Sequence, residues 1–487
     1  MRHHCPPLLL LCLASLTALA ADDYNWLDNP QLVIESVEVD PATRILTIRG
    51  KAFGTGRLPQ VTIDREPLTV RSATATGIEA GPLPRGIPPG TYLLRVVAGN
   101  DRSRFDAYTL ELGGTAPEPA AAAPAVTGNG RTRLLAVDTR GDVGWSPSVG
   151  IGDDGSPVIA YLDYSHLDLR VIHCQDAACT SPQLALLDAE GDVGWSASLA
   201  IGADGLPIIA YFDDTNRRLK AAKCETAGCY RAQISVVDGS GDVGRFSSIA
   251  VDGDGLPVIS YYDHAHRDLL LALCRDPACT SAALRTIDSA GDVGWHNAVA
   301  IGSDGMPVIS YFDSTRRDLK VAHCRDRGCA EVDLNAVDMG GVGMGTDIVI
   351  DADGLPFVVY WDFFNDDLKA ARCADSACAS AAITRVDTAG SVGSNPAVTL
   401  GADGLPIIAY HDHTNSDLKV AHCDDEACSR ASITTVDHEG SVGWHIAIAI
   451  GSDGLPVIAY YDETNGNLKL GLCGNPACSR SAGARRH

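Results

Sequence analysis

The stretch from Asp188 to Cys229 reads DAEGDVGWSASLAIGADGLPIIAYFDDTNRRLKAAKCETAGC. Its apolar residues fall in short runs, Ser196–Ile201, Leu206–Phe212 and Leu219–Lys223, and a fourth follows at Ala232–Val237. None is long or periodic enough for a helix. Turn residues separate them, which is the pattern of strands. Ala203-Asp204-Gly205 suits a tight hairpin with glycine at a positive φ. Asp213 to Arg217 makes a second turn, and the Cys224–Cys229 loop makes a third.

The same unit extends in both directions. Its leading aspartate recurs at Asp138, Asp188, Asp238, Asp288, Asp338, Asp387 and Asp437, at spacings of 49 or 50 residues. Four strands in a unit of that length predict a β-propeller blade, whereas a β-helix would want shorter coils. The last repeat stops near Cys478 without the fourth strand of its unit, and Thr132–Asp138, ahead of the first repeat, matches the missing piece. The expected fold is therefore an all-β, seven-bladed propeller over residues 132–480, with the N-terminal strand closing the last blade and removing an open edge.

Before the repeats the chain changes character. Residues 1–20 read as a secretory signal peptide: Arg2, an apolar run from Leu8 to Leu19, and Ala18-Leu19-Ala20 as a small-x-small cleavage pattern. Residues 30–113 alternate apolar and polar positions, as in Arg44–Ile48, Val61–Ile63 and Thr91–Val97, which predicts a small β-sandwich. Residues 114–128 form an Ala/Pro-rich linker.

Of sixteen cysteines, fourteen fall into seven C-x4-C pairs. These are Cys174 with Cys179, Cys224 with Cys229, Cys274 with Cys279, Cys324 with Cys329, Cys373 with Cys378, Cys423 with Cys428, and Cys473 with Cys478. An even count in an exported chain predicts disulfides. A structural metal would need four converging ligands and each repeat offers two, so no metal is expected. Each bridge closes so short a loop that the chain-entropy account gives it only about 2 kcal/mol. The chain carries 62 acidic against 38 basic residues, a net charge of −24. That charge repels nucleic acid and anionic lipid. No run reaches about 18 apolar residues, so no membrane span is expected.

Candidate binding residues cluster at one end of the expected blades. The G-D-V-G-W loops contribute Asp142, Asp192, Asp242 and Asp292 with Trp145, Trp195, Trp295 and Trp444, residue types that stack on sugar rings and accept hydroxyl protons. The same repetition fits a structural latch, with each Trp packed between blades and each Asp holding its own turn. Four positions after the Y-x-D aspartate the residues run Leu167, Arg217, Arg267, Arg317, Asp366, Ser416 and Gly466. Three consecutive guanidinium groups could grip a carboxylated or sulfated glycan, or could pair with Asp192, Asp242 and Asp292, each on the same blade as its arginine. Asp412, Asn415 and Asp417 offer oxygen ligands to calcium, as do Asp252 with Asp254 and Asp351 with Asp353, without matching an EF-hand loop. His173, His323 and His422, each just before a Cys, read as sheet residues.

Two resemblances accompany these readings. Gly50-Lys-Ala-Phe-Gly54 with Pro89-Gly-Thr-Tyr-Leu-Leu-Arg-Val-Val97 resembles IPT/TIG immunoglobulin-like domains, which implies a spacing or contact role. The D-G-x-P-x-I-x-Y-Y-D…D-L-K unit resembles secreted bacterial propellers distantly similar to the sialidase/BNR type. A sialidase needs an arginine cluster, a Tyr/Glu pair and an acid, and no Tyr/Glu pairing is evident here. The expectation is a secreted, periplasmic or cell-surface protein without enzymatic activity or cofactor. It recognises glycan or protein partners multivalently through the propeller's top face. A sialidase-like hydrolase and a purely structural envelope protein are the alternatives.

Overall fold

The computed structural model describes residues 33–479, apart from 42, 52, 54–57, 64–65, 84–89, 99–100 and 113–131. The signal segment and the linker lie outside the described residues. The chain divides into two compact units. Among the described residues every regular element is a strand.

The part of the chain ahead of the repeats holds β1 (Val33–Val39), β2 (Leu46–Lys51), β3 (Gln60–Ile63), β4 (Glu66–Leu68), β5 (Val70–Ala73), β6 (Gly77–Ala80), β7 (Gly90–Ala98) and β8 (Asp101–Leu112). They form two four-stranded sheets, ordered β1-β2-β6-β5 and β4-β3-β7-β8. Leu46, Ile48, Phe53, Val61, Ile78, Leu94 and Val96 are buried in it.

The repeats form seven four-stranded sheets. Sheet 1 is β10 (Val143–Ile151), β11 (Pro157–Asp163), β12 (Asp168–Cys174) and β13 (Pro182–Asp188), paired in sequence order and antiparallel. Sheets 2 to 6 repeat this over 193–238, 243–288, 293–338, 344–387 and 392–437. Sheet 7 has strands Val442–Ile450, Pro456–Asp462 and Asn467–Leu472, and its fourth is β9 (Arg133–Asp138). That pairing runs antiparallel from Leu472↔Arg133 to Leu468↔Asp138.

All seven expected disulfides form, and each lies within its own repeat: Cys174–Cys179, Cys224–Cys229, Cys274–Cys279, Cys324–Cys329, Cys373–Cys378, Cys423–Cys428 and Cys473–Cys478, with Cα–Cα separations of 4.7 to 4.9 Å. The two cysteines of a pair are not alike. The first ends or follows the third strand, whereas the second lies in the loop beyond it. Cys179, Cys229, Cys279, Cys329, Cys378, Cys428 and Cys478 all take a left-handed backbone, at φ +46° to +56°. The N–H of each closes a turn on the carbonyl three residues before it, as Cys179 does on Asp176 at 2.9 Å. The sequence marked this loop as a turn but not the unfavourable backbone that its second cysteine adopts.

Why these residues make these sheets follows from what lies on either side. The second strand of the unit, PIIAYFD in sheet 2, is buried at every position in six sheets and at all but Trp361 in sheet 5, so it reads as one unbroken apolar run. Each pair of successive sheets shares a hydrophobic core, and one more core joins sheet 7 to sheet 1 through Val457, Ala459, Leu468 and Leu470 against Val143, Ile159, Tyr161 and Ile172.

Three contacts set the relation between neighbouring sheets. Tyr211 Oη donates to Asp188 Oδ2 of the sheet before it at 2.6 Å, and the equivalent bond recurs from Tyr161, Tyr261, Tyr311, Tyr360, Tyr410 and Tyr460. Lys220, Lys320, Lys369, Lys419 and Lys469 add an ammonium to the same aspartates, Arg170 does so in sheet 1, and sheet 3 has Leu270 there instead. At Asp288, Asp387 and Asp437 burial pushes the carboxyl up, but hydrogen bonds from lysine, tyrosine and backbone more than offset it, so these three sit below the usual carboxylate range. Their contribution is therefore present above pH ~4 and is lost on acidification below it. The second contact is a backbone bond from Val243 N to Arg217 O at 3.3 Å, repeated from Val143 to Gly466 and from Val193, Val293, Val342, Val392 and Val442. The third is steric. The second glycine of G-D-V-G-W, Gly194 at φ +100°, lies so near Leu169 of the preceding sheet that a Cβ would come within 3.0 Å of its backbone.

Removing Asp188 takes from the buried Lys220 ammonium its hydrogen-bonded counter-charge and leaves only the Asp213 carboxylate, 3.9 Å away. Asp188→Ala is expected to cost about 3–5 kcal/mol, read by denaturant unfolding with the disulfides intact. Tyr211→Phe is expected to cost about 1–2 kcal/mol. An Asp188→Ala protein as stable as the parent would show that this latch does not hold the sheets.

Candidate functional site

Each sheet has two unlike ends. At one lie the D-G hairpins and disulfide loops. There His173, His323 and His422 bond Asp154, Asp304 and Asp403 at 2.8 to 2.9 Å, and Lys223 bonds Asp204 at 2.7 Å. These histidines are sheet residues that lock their own hairpins, as the sequence implied.

The other end carries the Y-x-D turns. In sheet 2, Asp213 Oδ1 accepts from Asn216 N at 2.9 Å and from Asn216 Nδ2 at 3.1 Å. The chain then passes through Arg217 at φ +53°. All seven equivalents, Leu167 through Gly466, share this left-handed conformation. It costs a residue with a Cβ about 1 kcal/mol relative to glycine. The backbone carbonyl serves the next sheet and the side chain is left to project. Arg217, Arg267 and Arg317 are all exposed. Pairing with an aspartate of the same sheet, one expected reading, does not occur. Arg217 Nη1 instead lies 3.3 Å from Asp242 Oδ2 of the following sheet. Among the described residues Arg267 and Arg317 have no ion-pair partner. Arg218 and Arg316 turn back to Asp213 and Asp313 at 2.9 and 3.0 Å.

The four tryptophans stand on strands, not on loops, because the first strand of each of their sheets begins at the valine two residues before the tryptophan. The residue after each tryptophan bulges at positive φ, as at Ser146, Ser196, His296 and His445. Asp142 Oδ1 accepts from Trp145 Nε1 at 3.0 Å and from Tyr461 Oη of sheet 7 at 2.7 Å. Asp292 Oδ1 does the same for Trp295 and for Tyr262 of sheet 3, both at 2.8 Å. Asp192 accepts from Trp195 at 2.6 Å. Burial pushes its carboxyl up, with Asp214 and Asp213 adding to the rise against the Trp195 bond. In sheet 3 Arg245 occupies the tryptophan place, lies over Phe212 at 4.5 Å, and pairs with Asp214 and Asp242. Trp444 finds only Ser441 Oγ, at 3.4 Å. The four aspartates thus act as latches between and within sheets, while the indole faces stay half exposed.

Every ring–ring contact among the described residues lies at this end. Trp145 stacks on Tyr164 at 4.6 Å and 18°, with Trp195 edge-on to Tyr164 at 5.9 Å. Phe246, Trp295 and His296 cluster across sheets 3 and 4, and Phe312, Trp361 and Phe363 across sheets 4 and 5. Tyr164 is 41% exposed and Phe364 77%.

Further features appear where the repeat breaks, and His411, which the sequence places with His264, His266 and His413 among freer loop residues, lies instead on a strand and is buried. Ser394, Trp361 and His411 carry buried polar atoms with no hydrogen-bond partner. Asp347, on the first strand of sheet 5, has its carboxyl pushed up to about 6 by burial, against hydrogen bonds from Val398 N and Ile348 N. Burial alone holds His296 and His445 down at about 4. The calcium candidates are turn acceptors. Asp412 holds Asn415, Asp252 holds Asp254 N and Leu256 N, and Asp351 holds Asp353 N and Arg372.

A histidine whose folded pKa lies below its unfolded value binds its proton more readily once unfolded, so stability falls as pH drops from about 6.5 to about 4. Replacing His296 and His445 by Asn, the residue sheet 6 carries at Asn395, is expected to flatten the decline in Tm between pH 6.5 and 4.5. An unchanged slope would remove these histidines as its source.

No protein-family model matches the chain, and no curated protein does. Among solved structures it is similar to a puromycin hydrolase S511A mutant complexed with PGG, at 15% identity and a TM-score of 0.43, over 84% of this chain and 59% of that one. It is also similar to a leech intramolecular trans-sialidase, at 12% identity and 0.37, over 90% and 81%. Polysaccharide lyase Uly1 aligns at 9% identity and 0.40, over 69% and 90%. The chain thus spans under two thirds of the hydrolase's length.

Proposed function

We propose that the seven sheets close into a seven-bladed β-propeller and that the chain is a binding protein of the cell exterior, recognising an acidic glycan through the turn end of the sheets. Closure is supported by β9 pairing with the third strand of sheet 7 and by the backbone bond from Val143 to Gly466, which matches the six others. An exported location is supported by the seven disulfides, which persist in oxidising compartments, and by the N-terminal signal pattern. The N-terminal unit, read as an IPT/TIG-like sandwich, serves as spacer or contact.

One observation carries the binding role. Arg267 and Arg317, on adjacent sheets, are exposed, without ion-pair partners among the described residues, and held at a backbone position that glycine occupies more cheaply. The same end of the sheets carries half-exposed indole faces and the exposed ring of Tyr164, suited to sugar rings. Guanidinium groups bind carboxylate or sulfate in a bidentate fork, and aromatic faces supply the apolar contact. The carboxylates Asp142, Asp192, Asp242 and Asp292 at this end are already engaged by indole, phenol or guanidinium donors, which favours binding over hydrolysis.

On an array of sialylated, uronic-acid-bearing, sulfated and neutral glycans, selective retention of the acidic classes is expected, weakening as salt rises. Arg267→Ala with Arg317→Ala is expected to weaken binding at least tenfold, about 1.4 kcal/mol, with Tm unchanged. Retention indifferent to both substitutions, or turnover of a sialoside, would overturn this reading.

A further inference from the structure

Sheet 6 departs from the repeat at its turn end. Ser391 stands for the aspartate, Ser394 for the tryptophan, and His411 at a place that is Leu162, Phe212, Tyr262, Phe312, Trp361 and Tyr461 in the other sheets. His411 is fully buried and neither ring nitrogen has a hydrogen-bond partner. An unmet polar group of this kind costs about 1–3 kcal/mol. A phenylalanine, which sheets 2 and 4 place here, would avoid that cost. A buried imidazole with both nitrogens unmet therefore wants an occupant that the protein chain does not supply.

The neighbouring residue identifies the class of occupant. His413 follows two positions later, at the start of the turn that leaves the strand. It is exposed, and its ring centroid lies 5.3 Å from that of His411. Two imidazoles sharing one tetrahedral ion, with metal–nitrogen bonds of about 2.0–2.1 Å, place their centroids about 5 Å apart. The Trp444 ring lies 4.4 Å from His411 and 5.2 Å from His413, forming a wall beside both. The indole N–H of Trp444 points to Ser441 Oγ, which donates to Glu463 Oε2 at 2.7 Å, so this wall is itself held in place. No group of three His, Cys, Asp or Glu side chains is gathered for a metal among the described residues.

We propose that His411 and His413 together bind one divalent ion of the borderline class, Zn²⁺, Ni²⁺ or Cu²⁺, whose other positions are filled by water. Imidazole nitrogen selects these ions over calcium and magnesium, which take oxygen ligands. With two protein ligands the ion keeps open positions facing the turn end, where an incoming ligand's oxygen could replace water. The site stands independently of the glycan reading.

The full chain, purified without a histidine tag, is titrated with Ni²⁺ by calorimetry and by tryptophan fluorescence, with Zn²⁺ in competition. One ion per chain, displaced by Zn²⁺, and a quench of emission are expected. His413→Ala, at an exposed position, should weaken binding by about tenfold or more. His411→Phe, copying sheets 2 and 4, should abolish it with the far-UV spectrum unchanged. Trp444→Phe should keep the calorimetric signal and lose the quench. Absence of Ni²⁺ and Zn²⁺ binding below about 1 mM, or His413→Ala binding as tightly as the parent, would overturn the site. Should His411→Phe fail to fold, His413→Ala alone decides.

Discussion

A tyrosine hydroxyl given to the aspartate of the preceding sheet, seven times over, is the contact that orders the rest of the repeat unit. It sits where the fourth strand of one sheet ends and the second strand of the next is most deeply buried, so it fixes both register and separation. A hydrogen bond to a charged partner in so dry a place contributes more than a neutral one. Its fidelity explains the tolerance around it. Lysine supports the aspartate in five sheets, arginine in one, and sheet 3 manages with leucine. Because the backbone at Arg217 and its equivalents completes the sheet-to-sheet bonding, the side chains there are free to vary, although Arg217 adds an ion pair to Asp242 of the next sheet. They vary from leucine to arginine to aspartate.

The two ends of the sheets solve different problems. The hairpin end is held by side-chain pairs such as His173 with Asp154 and Lys223 with Asp204, and by outer strands that reach the next disulfide loop, as Ser235 Oγ does to Ala278 O. These contacts satisfy themselves and leave little to offer a partner. The turn end is held by aromatic packing and indole–carboxylate bonds, which cover the core yet leave π-faces and guanidinium groups toward solvent. Cohesion and recognition can share residues there, since an indole that donates its N–H inward still presents its face.

Much of the architecture was legible because periodicity is a one-dimensional property. The 49–50-residue spacing, the four short runs per unit, the cysteine pairs and the missing last strand could all be counted. What could not be counted was who meets whom across sheets. Asp188 stood out as a register mark, while its partner Tyr211, 23 positions on, looked like an ordinary sheet residue. Asp142 and Trp145 read as ligand candidates, whereas packing turns them toward each other and toward Tyr461, 319 positions away. The left-handed backbone at Arg217, and at Cys179 and its six equivalents, left no trace in composition, because a turn set by its neighbours tolerates an unfavourable residue. His411 did leave a signal, as the one imidazole in a column of apolar and aromatic residues, but only the burial of both its nitrogens gives that signal chemical meaning.

The strand Arg133–Asp138 is made early and used late. Its hydrogen-bonding partner is Asn467–Leu472, and Thr132 bonds the Cys478 carbonyl across 346 positions. During synthesis this segment must wait, unpaired, while all seven units emerge behind it. So long a loop closes slowly, though the entropic cost grows only with the logarithm of its length. Quality control is thereby built into the topology. A chain interrupted anywhere short of Leu472 presents two raw sheet edges, the kind of surface on which chains aggregate or proteases feed. Only synthesis carried through that strand hides both.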